Sequence, residues 1–221
     1  VGSSTFLLLA YLNFRWNADE HPRQLIQTCC ICLWAFRLGI FLFIRVMLAG
    51  QDKRFGKALN NPIRFLFSWT MQGVWVILTL LPSIICVTSP QQRPLGLRDY
   101  IGWGFWALGF IIEILADYQK TRWRNNPANE DKFINVGLWS ISRHPNYFGE
   151  IMLWFGLYIS ASATFSGYEY FSVLCPLFNY LLITRISGIP LLESYANKKW
   201  GATPQYLAYV RDTPVLIPFI N

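Results

Sequence analysis

The chain has 221 residues, of which 53% are hydrophobic, 17% aromatic and only 14% charged, with a mean hydropathy of +0.30. This composition excludes a soluble domain and describes a membrane protein. The net charge of +7, in an apolar chain with ten tryptophans, belongs to loops that face anionic headgroups and not to a nucleic-acid-binding surface.

In chain order, residues 1–14 are uncharged but too short to span a bilayer; with Val1 in place of an initiating Met, the N-terminus is expected to be incomplete. Residues 23–48 form the first full candidate span. Arg37 near its middle requires a partner or a water-filled cavity, whereas Arg45 near its end can reach the interface. A basic loop (Lys53, Arg54, Lys57) leads to residues 65–92, uncharged throughout and long enough to cross, with Pro82 as a kink. The next span occupies residues 99–118. Its end carries Glu113 and Asp117 one turn apart on one face, with Lys120 spaced to pair with Asp117. Gly102 and Gly104 within it read as helix-packing positions and not as a nucleotide loop.

Asn125-Asn126-Pro127 breaks that helix. Residues 151–165 and 171–186 are the last two spans, and an amphipathic tail covers residues 191–218. The expected fold is all-α: a polytopic membrane helical bundle of about five complete spans, plus a partial N-terminal helix and an amphipathic C-terminal tail, in a single membrane domain over 1–221. The five cysteines (Cys29, Cys30, Cys32, Cys86, Cys175) lie in apolar stretches without metal-ligand spacing and read as buried thiols. Alternating the loops across the bilayer places fourteen basic residues, among them Arg45, Arg54, Lys120, Arg124, Lys132, Arg143, Lys199 and Arg211, on one side. Only Arg15, Arg23, Arg93 and Arg98 fall on the other, which makes the first side cytosolic. That bias reads the same in the endoplasmic reticulum and the mitochondrial inner membrane.

The chemistry is concentrated in residues 137–156, GLWSISRHPNYFGEIMLWFG. Pro145 fits a first helical position, with Ser142, Arg143 and His144 just outside the helix and Asn146, Tyr147 and Glu150 just inside. Backbone N–H groups, a helix dipole, Arg143 and His144 would converge there, a combination that suits a phosphate or carboxylate. The same residues also describe an ordinary well-capped helix. Glu150 opens a long uncharged run, so the cluster sits at a membrane edge. With two histidines, His21 and His144, and no paired metal ligands, hydrolase and metalloenzyme readings are weak.

Three ordered stretches carry a resemblance: WAFRLGIFLFIRVMLAGQDKRF (residues 34–55); EILADYQK (residues 113–120) with the turn just quoted; and SGIPLLESYANKKWG (residues 187–201) with TPVLIPF (residues 213–219). Together they resemble the DUF1295 family of the steroid 5-alpha-reductase C-terminal superfamily. The resemblance implies an all-helical membrane reductase that binds NADPH on the cytosolic side and reduces an activated carbon–carbon double bond in a steroid, sterol or other lipid. It implies that Asp117 and Arg124 contact the cofactor, that Asn146 and Glu150 match the Asn and Glu of an N-x-x-G-E turn, and that Arg45 and Arg54 lie near the NADPH phosphates. Arg143, His144 and Tyr147 fall in the same pocket as the RHPNY variant of that turn.

Steroid reductases also carry a Glu and a Tyr that polarise the enone carbonyl. Here the Tyr position is Leu42, and no acid precedes Asp19, so the main transition-state stabilisation of that chemistry is missing. Two other readings stay open. The RHPNY turn and the C-terminal tail also resemble isoprenylcysteine and phospholipid methyltransferases, which bind S-adenosylmethionine, although the Glu pair that opens their tail is here the single Glu193. The missing Glu/Tyr pair also suits a non-catalytic subunit of a larger membrane complex that retains the reductase fold. Partners common to these readings are the bilayer and a hydrophobic substrate or neighbouring subunits.

Overall fold

The computed structural model describes residues 21–49, 61–91 and 93–220. Arg54, the uncharged run at 1–14 and Asp19 lie outside the described residues, as does the side chain of Arg45. Seven α-helices are described: α1 Pro22–Ala49, α2 Pro62–Thr88, α3 Leu97–Arg124, α4 Pro145–Ala161, α5 Leu174–Leu181, α6 Ile189–Trp200 and α7 Pro204–Asp212. No strand occurs among the described residues. The all-α membrane bundle expected from composition is therefore the observed architecture. The chain divides into two compact units, Val1–Tyr100 with Leu157–Cys175, and Ile101–Gly156 with Pro176–Asn221.

Among the described residues, four segments are long and apolar enough to cross a membrane: Pro22–Ile44, Pro62–Thr88, Leu97–Arg124 and Gly167–Trp200. The fifth expected span corresponds to α4, whose 17 residues extend about 25 Å, short of the roughly 30 Å hydrocarbon core. It begins earlier than its charge-free run because Pro145 is accepted in the first turn, and it ends at Ala161, where Ala163 and Thr164 bond to Ser160 and Ala161 in tight turns. The span expected at 171–186 is also irregular. A 3₁₀ stretch, Gly167–Val173, precedes α5, and a π turn, Leu182–Ile186, follows it. Pro176 sits in the first turn of α5, where its missing N–H costs no bond.

The first unit is held by a polar network as well as an apolar core. Arg23 and Asp99 are both fully buried, with Arg23 Nε 2.6 Å from Asp99 Oδ1 and Nη2 2.8 Å from Oδ2. Arg23 also donates to the carbonyls of Arg93 and Pro94, while Asp99 accepts from the Gly96 N–H and the Ser160 hydroxyl. Gln27, equally buried, donates to Ser83 and to the Leu157 carbonyl. Around this network pack Cys86, Ala161 and Phe165, flanked by Ile85 and Tyr158. Arg37, the mid-span arginine, lies 5.6 Å from the centre of the Phe41 ring, a cation–π contact one turn away. All five cysteines are free, as expected; Cys29 is exposed and Cys32 half-buried, so only three are fully buried.

In the second unit, α3 and α4 run antiparallel at glycine contacts. A Cβ added at Gly149 would stand 2.5 Å from the Gly109 carbonyl oxygen, and one at Gly156 would stand 2.5 Å from that of Gly102. Each helix thus carries two glycines seven residues apart, the repeat that keeps one seam facing its partner and lets the backbones touch. Gly102 is a packing residue as expected, whereas Gly104 meets nothing within 4 Å. This seam carries α4 alongside α3 and fixes the level at which its polar start emerges.

Candidate functional site

The site is built where four pieces of the second unit converge. The last turns of α3 contribute Lys120, Trp123 and Arg124, and Asn126 then stops the helix by capping the 3₁₀ turn Pro127–Asn129. A second 3₁₀ turn, Gly137–Ser140, starts at a glycine in the left-handed region (φ 62°) and brings Trp139 inward. Trp139 is buried, with its Nε1 donating to the Ala116 carbonyl at 3.1 Å. Its ring face takes the Lys120 ammonium at 4.4 Å. Lys120 therefore turns to an indole, not to the Asp117 carboxylate that sequence spacing favours.

The Ser142-Arg143-His144 turn is strapped down by the C-terminal segment. The Arg143 N–H donates to the Pro214 carbonyl at 2.8 Å and the Ser142 hydroxyl to that of Leu216 at 2.7 Å. The His144 N–H donates to the Ser142 Oγ. Two amides at the start of α4 are thus engaged within the fold, and the side chains supply the site's positive charge.

Glu193, from the first half of α6, completes the cluster. Its Oε2 accepts from Arg143 Nη1 at 2.6 Å and its Oε1 stands 2.7 Å from His144 Nε2. Burial holds the His144 imidazole below the ordinary histidine value of 6.5, although Glu193 pulls in the opposite direction. A neutral ring donating from Nε2 to Glu193 leaves the lone pair on Nδ1. That Nδ1, the Nε of Arg143 and the Nε1 of Trp123 are buried without a hydrogen-bond partner among the described residues. They are the groups that a ligand's donors and acceptors would satisfy.

An aromatic wall closes the other side. Phe133 lies 6.1 Å from Trp200, 5.3 Å from Tyr206 and 5.2 Å from Tyr209, ring centre to ring centre. The Tyr209 hydroxyl donates to the Trp139 carbonyl at 2.6 Å, and burial raises its pKa. Asp131, at a left-handed φ of 64°, accepts from Lys199 at 2.7 Å and from the Trp200 indole, which ties the loop to α6. The pocket has a volume of about 120 Å³ and opens to solvent. Lys120, Arg124, Lys132 and Arg143 line it against one carboxylate, Glu193. Among the described residues, no group of His, Cys, Asp and Glu could hold a metal ion.

Of the residues expected from sequence, Arg124, Arg143 and His144 line this pocket. Asp117, Asn146, Tyr147 and Glu150 do not line it. Asn146 Nδ2 reaches Asp117 Oδ1 at 3.4 Å, and the Tyr147 ring stacks on His144 at 5.8 Å, so Tyr147 backs the pocket's histidine. Lys120, Lys132, Trp139, Glu193, Tyr206 and Tyr209 were not among the expected site residues. The sole acid that opens the tail, Glu193, was the available signal, and its partners lie 50 and 49 residues away in the chain.

The chain is 25% identical over 153 residues to a probable O-methyltransferase, ustE, of Ustilaginoidea virens, covering 62% of this chain and 52% of that protein. It is 27% identical over 106 residues to an uncharacterized protein of Schizosaccharomyces pombe, covering 40% of this chain and 31% of that one. The matches thus span about half and about a third of these relatives' lengths. No solved structure matches the chain. The family model described as "protein of unknown function (DUF1295)" matches residues 1–213, nearly the whole chain, and the protein belongs to that family.

Proposed function

We propose that this protein is a membrane enzyme whose pocket holds NADPH and that it reduces an activated carbon–carbon double bond in a lipid. The observation that carries this reading is the charge of the pocket: four cationic side chains against one carboxylate, with that carboxylate already engaged by Arg143 and His144. Arg124 and Lys132 have no carboxylate partner among the described residues. A ligand carrying a pyrophosphate and a 2′-phosphate complements such a surface, and the aromatic wall offers flat faces to its rings.

The residues present fit the cofactor. Arg124 and Lys132 would hold phosphates, Phe133, Tyr206 and Tyr209 would face a ring, and the buried Trp123 N–H would donate to its oxygens. When bound, NADPH supplies a hydride. This chain's own part is to orient the ligands, exclude water with the aromatic wall, and hold a neutral imidazole at His144.

A second reading is favoured by one specific observation: a relative is named a probable O-methyltransferase. Under that reading the pocket takes S-adenosylmethionine, with Glu193 and the aromatic rings facing a cationic sulfonium. Titrating the purified protein with NADPH and separately with S-adenosylmethionine, followed by tryptophan fluorescence and thermal shift, decides between them. Saturable NADPH binding supports the reductase; S-adenosylmethionine binding alone replaces it with the methyltransferase. Binding of neither leaves a retained fold serving a complex.

A further inference from the structure

A second cavity lies on the other side of Arg143. It is a wide groove of about 460 Å³ lined by Tyr180 of α5, by Val210 and Arg211 of α7, and by the C-terminal strap, including Thr213, Val215, Leu216 and Ile217. Apart from its two arginines, its lining is mostly apolar. Val215 and Ile217 are exposed, as are the neighbouring Phe219 and Ile220. In water such a strip would be costly.

Arg143 lines both the groove and the aqueous pocket. Its Nη1 is engaged by Glu193, while its Nε is buried without a hydrogen-bond partner among the described residues. A guanidinium presents five donors in a planar fork matched to two oxygens of one carboxylate. The groove is fixed to the same turn by its own backbone, because Pro214 and Leu216 accept from Arg143 and Ser142. An apolar trough therefore ends at a partly satisfied, largely buried cation that also faces the cofactor pocket.

We propose that the groove takes the acyl chain of the lipid substrate and that Arg143 binds the carboxylate at its head, so that the substrate is a single-chain lipid acid entering from the bilayer. This rests on the reading of the neighbouring pocket as a cofactor site and names the substrate that meets it there. Arg211 is exposed and paired with the adjacent Asp212 at 2.7 Å. Arg143 is paired too, with Glu193, but it is largely buried, keeps an Nε without a hydrogen-bond partner among the described residues, and lines the cofactor pocket as well as the groove.

The test is photolabelling of the full chain in phosphatidylcholine nanodiscs with palmitic acid bearing a chain diazirine, alongside the matching alcohol, with peptide mapping of the adducts. The acid is expected to label Tyr180 and residues 210–220 at least about fivefold more than the alcohol, because only the acid forms charge-assisted bonds to Arg143. Arg143→Gln should bring the acid down to the level of the alcohol. Ile217→Trp, a change at an exposed position that fills the groove, should reduce labelling by the acid whether or not Arg143→Gln folds. Equal labelling by acid and alcohol, or labelling that Ile217→Trp does not change, would show only ordinary surrounding lipid and overturn the proposal. NADPH titration of the same samples separates the two readings. Selective labelling without NADPH binding sustains the groove and removes the reductase; NADPH binding without selective labelling removes the groove alone.

Discussion

Glu193 stands 2.6 Å from Arg143 and 2.7 Å from His144, one carboxylate joining two adjacent residues from across the second unit. Arg143 is 11% exposed and Glu193 29% exposed, so the pair is partly withdrawn from water. Glu193→Ala would leave the guanidinium short of its counter-charge, at a cost of about 1–3 kcal/mol. Thermal unfolding in detergent should show that loss. Glu193→Gln, which keeps the hydrogen-bonding shape, should recover part of it; an unchanged melting temperature in both variants would remove the ion pair from the account of the fold.

The depressed pKa of His144 sets a pH dependence. The folded state binds its proton less readily than the unfolded chain, so the stabilisation is present above the ordinary histidine value of 6.5 and is lost as pH falls below it. Stability measured from about pH 8 to about pH 5 should decline on the acid side of that value. His144→Gln should flatten this part of the profile. A variant profile that parallels the wild type would assign the acid lability to other groups.

Packing of α3 on α4 depends on the absence of a side chain at the glycine seam. Gly109→Ala would drive a methyl to 2.6 Å from the Gly149 carbonyl oxygen and 2.8 Å from the Leu153 nitrogen. Because these atoms are backbone and cannot turn aside, the expected destabilisation is about 1–3 kcal/mol. Gly104→Ala, on the same helix with nothing within 4 Å, is the control and should be neutral or slightly stabilising. Equal behaviour of the two would mean that the helices do not pack through this seam.

In the first unit, Asp99→Asn removes the charge facing a fully buried Arg23. Taking this counter-charge away from a buried cation is expected to cost about 3–5 kcal/mol, whereas the double replacement Arg23→Met with Asp99→Leu should recover most of it. Comparing the unfolding of the single and double variants measures this directly. A double variant as unstable as the single would show that the network's other bonds, to Gly96 and Ser160, matter more than the charge pair.

For the cofactor, Arg124→Gln and Lys132→Gln should each weaken NADPH binding by about tenfold and lessen its salt dependence. NADPH should bind more tightly than NADH. Asn146→Ala and Glu150→Ala should have the smaller effect, since neither residue lines the pocket. If those two variants abolish binding while Arg124→Gln does not, the ligand lies on the Asp117 side of His144.

What the amino-acid sequence determined by itself is local. Pro145 at the start of α4, the stop at Asn125-Asn126-Pro127 and the helical tail follow from charge and backbone chemistry within a few residues, and the structure keeps each of them, whereas the uncharged runs at 151–165 and 171–186 fold into a short helix and an irregular one. Arg143 and His144 were legible as site residues for the same reason, because they immediately precede a helix whose first residue must be Pro145. Tertiary packing alone decided their partners. Spacing placed Lys120 with Asp117, but the 3₁₀ turn carrying Trp139 presents a ring to it instead. Arg23 was counted as a loop charge and Asp99 only as the start of a span, 76 residues apart, until α1 and α3 bring them into one buried pair. Glu193 looked like a lone acid on a tail, and only the approach of α6 to the strapped turn makes it the carboxylate of the site. A helical pattern reports neighbours three or four positions away; which faces then meet is set by backbone contacts such as Gly109 on Gly149, whose effect appears only when the two helices are in place.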